Sequence, residues 1–124
     1  MSRILVIDDD PNIRAVVKTY LTLGGDDVDT AENGKIGLML AGLHQYDLVV
    51  TDIVMPERDG FEVIMQLRRT SPSVRIIGMS GGVVKLDKAD LLNSAKLMGA
   101  DRVLPKPLDF IELQATVKEV LAMV

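Results

Sequence analysis

The sequence contains no cysteine and a single histidine, His44. Disulfides and thiolate metal sites are therefore excluded, and one imidazole is too few for a zinc site or a Ser/His triad. It also has no apolar run of membrane-spanning length. The N-terminal segment turns apolar after Arg3, but Asp8, Asp9 and Asp10 interrupt it before a secretory core could be completed, so a cytoplasmic location with no membrane association is expected. There is no cluster of basic residues either. With a formal net charge of -4, direct nucleic-acid binding is disfavoured and partners should be proteins. Repeats, low-complexity tracts and linkers are missing, and 124 residues suit one domain spanning 1–124.

What is present is an alternation. Ile4-Leu5-Val6-Ile7 is an unbroken apolar run that reads as a buried strand, and Asp8-Asp9-Asp10-Pro11 joins a helix N-cap candidate to a first-turn proline. Ile13, Val16, Val17, Tyr20 and Leu21 then form a helical stripe that Gly24-Gly25 ends. Val28 to Ala31, set among Asp26, Asp27 and Asp29, fits a short strand at a sheet edge. Glu32-Asn33-Gly34 turns into a helix carrying Ile36, Leu38, Met39, Leu40 and Leu43. Leu48 to Thr51 is the third strand, and Gly60 to Thr70 a helix with Phe61, Val63, Ile64 and Leu67 inward, stopped by Ser71-Pro72-Ser73. Val74 to Ser80 is the fourth strand, followed by Gly81-Gly82. Ala89 to Met98 has helical composition and ends at Gly99, and Arg102 to Leu104 is the last strand. Asp109-Phe110-Ile111-Glu112 has capping-box spacing and opens a final helix with Phe110, Leu113, Val117, Val120 and Leu121 on one face. This pattern predicts an α/β fold: a doubly wound five-stranded parallel sheet, strand and helix five times over, in three layers α/β/α. Met39, Met55, Met65, Met79 and Met98 read as packing residues, and His44 as a solvated helix-end residue.

In such a sheet, functional groups gather beyond the carboxyl ends of the strands. Those ends offer Asp8 and Asp9 from the first strand, Asp52 from the third, Ser80 from the fourth, and Lys106 from the fifth. Three carboxylates brought together resist ionisation unless a cation is present, and Mg²⁺ suits this oxygen set better than an all-protein calcium cage does. Lys106 supplies a point charge for a phosphoryl oxygen and Ser80 a hydroxyl donor, while a metal-flanked Asp can attack phosphorus to give an acyl phosphate. Asp52 stands alone and is the best nucleophile candidate. Asp10 before Pro11 reads as a helix cap, and Asp8 and Asp9 can be read likewise; Asp59 before Gly60 reads as a turn or cap residue. Singly, Asp52, Ser80 and Lys106 would be ordinary surface groups. Their joint placement at successive strand ends gives them meaning.

Ile4-Leu5-Val6-Ile7-Asp8-Asp9-Asp10, Asp52-x-x-Met55-Pro56-x-x-Asp59-Gly60, Ser80 after the fourth apolar run, and Lys106-Pro107 resemble, in order and over nearly the whole chain, the receiver domain of two-component response regulators. The resemblance implies a flavodoxin-like fold of the single-domain chemotaxis-like type. It further implies a protein that takes a phosphoryl group from a phosphohistidine on a sensor histidine kinase or phosphotransfer protein, with Mg²⁺ as cofactor. The signal would pass to a downstream protein target through a changed surface. Such a protein would be a monomer or a phosphorylation-dependent dimer, and no enzyme beyond its own phosphorylation and dephosphorylation. Asp52 would be the phosphoacceptor. Asp9, Asp52 and the backbone carbonyl of Val54 would ligate the metal, with Asp8 helping directly or through water, and Ser80 and Lys106 would contact phosphoryl oxygens.

The sequence departs from the family where Val103, three before Lys106, replaces the usual aromatic switch residue, and Pro105 stiffens the approach to Lys106. At two positions that influence hydrolytic water in receivers stand Val54 and Gly82, neither able to orient one. The competing readings are a phosphorylation-independent interaction module on the same fold, which Val103 favours, and a nucleotide- or flavin-binding enzyme. The latter lacks the glycines of a dinucleotide or P-loop fingerprint after the first strand. A phosphoaspartate phosphatase could use Asp8 and Asp10, but that leaves Asp52 and the turn after it unexplained.

Overall fold

A computed structural model of the chain describes residues 2–53, 60–80, 97 and 99–123. In chain order the described elements are β1 (Arg3–Ile7), α1 (Pro11–Leu23), β2 (Asp27–Ala31), α2 (Gly34–Leu43), β3 (Leu48–Asp52), α3 (Gly60–Thr70), β4 (Arg75–Ser80), β5 (Arg102–Pro105) and α4 (Phe110–Leu121). The strands form one sheet in the order β2-β1-β3-β4-β5, every pair parallel. This is the doubly wound sheet expected from the alternation, with β2 at an edge as its aspartates foretold. Of the helix expected over Ala89 to Met98, only residue 97 is described, and it is helical. The rest of that segment, Val54, Met55 and Asp59, the Phe61 side chain, Gly81 and Gly82 lie outside the described residues.

Side-chain alternation along each strand divides the core in two. On one face, Ile4 and Val6 of β1 join Val17 and Leu21 of α1 and Leu113, Val117 and Val120 of α4. On the other, Leu5 and Ile7 join Val63, Ile64 and Leu67 of α3. Helix ends follow local chemistry. The Asp10 carboxylate accepts from the Asn12 amide at 2.8 Å, with Pro11 in the first turn, so Asp10 is the cap it was read as. Asn33 caps α2 through the Ile36 amide, and Asp109 caps α4 through the amides of Ile111 and Glu112. Gly25, after the last turn of α1, has φ 95°, a conformation that costs glycine little.

One group of readings needs correction. Met79 is fully buried, but Met39 and Met65 are 57% and 44% exposed and are not packing residues. Each sits on the outer side of a helix whose inner side other residues fill. His44 is the C-cap of α2 and is exposed, as expected.

Candidate functional site

β1 and β3 lie side by side with Ile7 opposite Thr51, so the residues that follow in each strand, Asp8 and Asp52, leave the sheet at adjacent points. Hydrogen bonds hold the Asp8 backbone and carboxylate in place: its N–H donates to the Ala31 carbonyl at 3.1 Å, and its Oδ1 accepts from the Asp10 amide at 2.9 Å. Asp52 is the last residue of β3 and is 5% exposed, Asp8 is fully buried, and Asp9 is exposed. One carboxylate oxygen from each of Asp8, Asp9 and Asp52 lies within 4.8 Å of the others.

Lys106 reaches this cluster from just past β5. Its Nζ donates to Asp8 Oδ2 at 2.7 Å and to Asp52 Oδ2 at 3.1 Å. Its own N–H donates to the Ser80 carbonyl at 2.8 Å, which ties the lysine to the end of β4. Burial alone would lower the pKa of the ammonium, but the hydrogen bonds and negative charges of Asp8 and Asp52 outweigh it and hold the group above its ordinary value. The lysine is therefore a fixed cation at neutral pH. Pro105 of β5 pairs with Ser80, and because β5 is an edge strand a missing backbone donor is tolerated there. The Lys106–Pro107 peptide is cis.

Three carboxylates converge here while Lys106 pairs with only two of them, Asp8 and Asp52. Such a set of hard oxygen donors fits a divalent cation such as Mg²⁺. The structure thus brings Asp8, Asp9, Asp52 and Lys106 together and sets Ser80 at the same edge; the carbonyl of Val54 lies outside the described residues. Val103 is buried in the same layer as Leu5, Ile7, Val49 and Ile76.

Sequence reasoning missed Arg14. Its Nη1 donates to the Asp8 carbonyl at 2.7 Å. The only sequence signal was a weak one: a cation near the start of a helix that has no acidic residue in its first turn, where the helix dipole disfavours positive charge.

A parallel sheet whose carboxyl edge gathers three acids and a lysine defines a class of α/β domains with an acidic site beyond the ends of their strands. The chain belongs to the response regulator receiver domain family, whose model matches residues 4–118. It is 36% identical over 118 residues to the probable transcriptional regulator ycf27 of Cyanidium caldarium, covering 95% of this chain and 45% of that protein. It is 35% identical over 121 residues to a transcriptional regulatory protein CpxR homolog of Haemophilus influenzae, covering 98% of this chain and 51% of that protein. The chain thus spans about half the length of these curated relatives. Among solved structures, the response regulator TrrA from Thermotoga maritima in complex with Mg(2+)-BeF superposes with TM-score 0.83 at 38% identity, over 97% of this chain and 99% of that one. A CheY-like receiver domain protein from Methanospirillum hungatei gives TM-score 0.87 at 28% identity, over 98% and 94%. The chain is a two-component receiver domain, a signalling module and not a classical enzyme, and phosphorylation-dependent signalling is the role of its family. Among the described residues no helix is long and apolar enough to cross a membrane.

Proposed function

We propose that Asp52 is the phosphoacceptor, and that residues 1–124 act as one cytoplasmic receiver unit taking its phosphoryl group from a phosphohistidine on a sensor histidine kinase or phosphotransfer protein. The observation that carries this reading is the three-carboxylate cluster with Lys106 bridging Asp8 and Asp52. An oxygen of Asp52 forms the new bond to phosphorus, and the electron pair of the broken P–N bond leaves with the imidazole nitrogen of the donor. Asp8 and Asp9, together with Asp52 and the Val54 carbonyl, would hold Mg²⁺, which neutralises charge on the transferring group. Lys106 exchanges its bond to the Asp52 carboxylate for one to a phosphoryl oxygen, and the Ser80 hydroxyl donates to another. The Mg(2+)-BeF complex of the Thermotoga relative supports carrying this set over.

With Val103 in place of an aromatic, the changed surface presented to a downstream protein target arises from the Ser80 and Lys106 contacts. Incubation with a small acyl phosphate and Mg²⁺, followed by intact-mass measurement, tests the assignment. One phosphate adduct is expected on the parent and none on Asp52→Asn. An adduct of equal yield on both proteins rules Asp52 out, and none on the parent favours an interaction module that works without phosphorylation.

A further inference from the structure

Asp9 is the exposed member of the acidic cluster, and no described residue donates a hydrogen bond to its carboxylate. Among the described residues its placement therefore rests on the two peptides that flank it. On the far side the Asp10 N–H donates to Asp8 Oδ1 at 2.9 Å; on the near side is the peptide joining Asp8 to Asp9, a rigid plane containing the Asp8 carbonyl and the Asp9 N and Cα atoms. Arg14 Nη1 grips the oxygen end of this plane at 2.7 Å. The Asp8 N–H on the preceding peptide is fixed to the Ala31 carbonyl, and the Asp8 carboxylate to Lys106 and the Asp10 amide. With these bonds made, the Asp8 carbonyl cannot turn without breaking the Arg14 contact, and the direction in which Asp9 leaves the strand is set.

We infer that Arg14 is a positioning residue for the metal: it orients the Asp8–Asp9 peptide so that the Asp9 carboxylate faces the oxygens of Asp8 and Asp52. This rests on the metal-binding role proposed above. The inference can be separated from a plain charge effect by its sign. As a bare positive charge Arg14 repels a divalent ion, so its removal would tighten binding. As a positioning group its removal weakens binding, as loss of outer partners does at other metal sites.

Arg14→Met keeps much of the side-chain length and removes both donor and charge. Calorimetric titration with Mg²⁺ should show affinity about 10-fold weaker than the parent, with the thermal unfolding midpoint of the metal-free protein little changed. Phosphoryl uptake should be slowed at limiting Mg²⁺ and recover at saturating Mg²⁺, a separation that general loss of structure would not give. Arg14→Lys keeps the charge but shortens the reach, and should also lose affinity, by less than Arg14→Met does. Equal or tighter Mg²⁺ binding by Arg14→Met overturns the role. Should that variant not fold, Arg14→Lys decides it: parental affinity overturns the role and the loss supports it. If the parent itself takes up no Mg²⁺, the proposed metal site fails and this inference fails with it; if the parent binds normally and only the Arg14 result is negative, the metal site stands.

Discussion

Lys106 makes the acidic cluster compatible with folding by pairing with two of its three carboxylates. Its side chain is 18% exposed and bridges Asp8, which is fully buried, to Asp52. Removing one partner of a buried ion pair leaves the other uncompensated, at a cost of about 3–5 kcal/mol. Lys106→Met should therefore lower the unfolding free energy in EDTA by roughly that amount. Because a divalent cation can supply the missing charge, Mg²⁺ should restore part of the loss, and by more than it stabilises the parent. Urea unfolding of both proteins with and without Mg²⁺ gives the comparison, and equal gains from Mg²⁺ would argue against a shared role for lysine and metal.

At the scale of elements, the start of α3 is pressed against the end of β3. The Gly60 N–H donates to the Ile53 carbonyl at 2.9 Å, and a Cβ on Gly60 would overlap the Asp52 carbonyl oxygen and lie 2.6 Å from the Ile53 Cα. Backbone cannot yield as a flexible side chain can, so Gly60→Ala must push the helix from the strand. We expect a destabilisation of about 1–3 kcal/mol by urea unfolding. Because the displaced backbone carries Asp52, the proposed phosphoacceptor, phosphoryl uptake should fall as well, even at temperatures where the variant is fully folded. Parental stability and uptake in Gly60→Ala would show that the contact relaxes freely.

Across the whole molecule, a second polar group, away from the acidic cluster and set around β1 and β2, bears on pH. Tyr46 donates its hydroxyl to Asp29 at 2.7 Å, and Arg3 pairs with Asp29 at 3.3 Å while its guanidinium lies 5.3 Å from the Tyr46 ring centre. Burial, the hydrogen bond to Asp29 and the charge of Asp29 raise the Tyr46 phenol well above its ordinary 10.0. The Tyr46 hydrogen bond, opposed by burial and helped by Arg3, holds Asp29 below its ordinary 3.8. The folded state thus keeps the phenol proton where the unfolded state has lost it. This contribution is complete below pH 10.0 and is lost as pH rises through the higher folded value. Asp29 acts in the other direction: its contribution is complete above pH 3.8 and is lost as pH falls through the depressed value. Tyr46→Phe should consequently show a shallower loss of stability than the parent at alkaline pH. Parallel stability curves above pH 10.0 would mean that the phenol titrates alike in both states.

Much of this was legible in the residues. Short apolar runs separated by helical stripes dictate alternating strands and helices, and Asp10, Asn33 and Asp109 cap their helices through neighbours two or three residues away. Strand ends could be read because each apolar run stops at a polar or charged residue. That is why Asp8, Asp9, Asp52, Ser80 and Lys106 could be named from the chain alone. Contacts whose partners are far apart in sequence could not be read. The Lys106 bridge spans separations of 98 and 54 residues, and it forms only because the strand order β2-β1-β3-β4-β5 brings those ends to one edge. Exposure of Met39 and Met65 was likewise hidden, since hydropathy says that a side chain can be buried and only packing decides whether another element covers it. Arg14 was unread because its partner is a backbone carbonyl, a group every residue has, and only the folded turn from β1 into α1 selects the one at Asp8. The sequence by itself determined the elements and the chemical groups at their ends; the tertiary structure decided which of those groups meet, because periodicity and capping act over a few residues while the sheet joins positions from the whole chain.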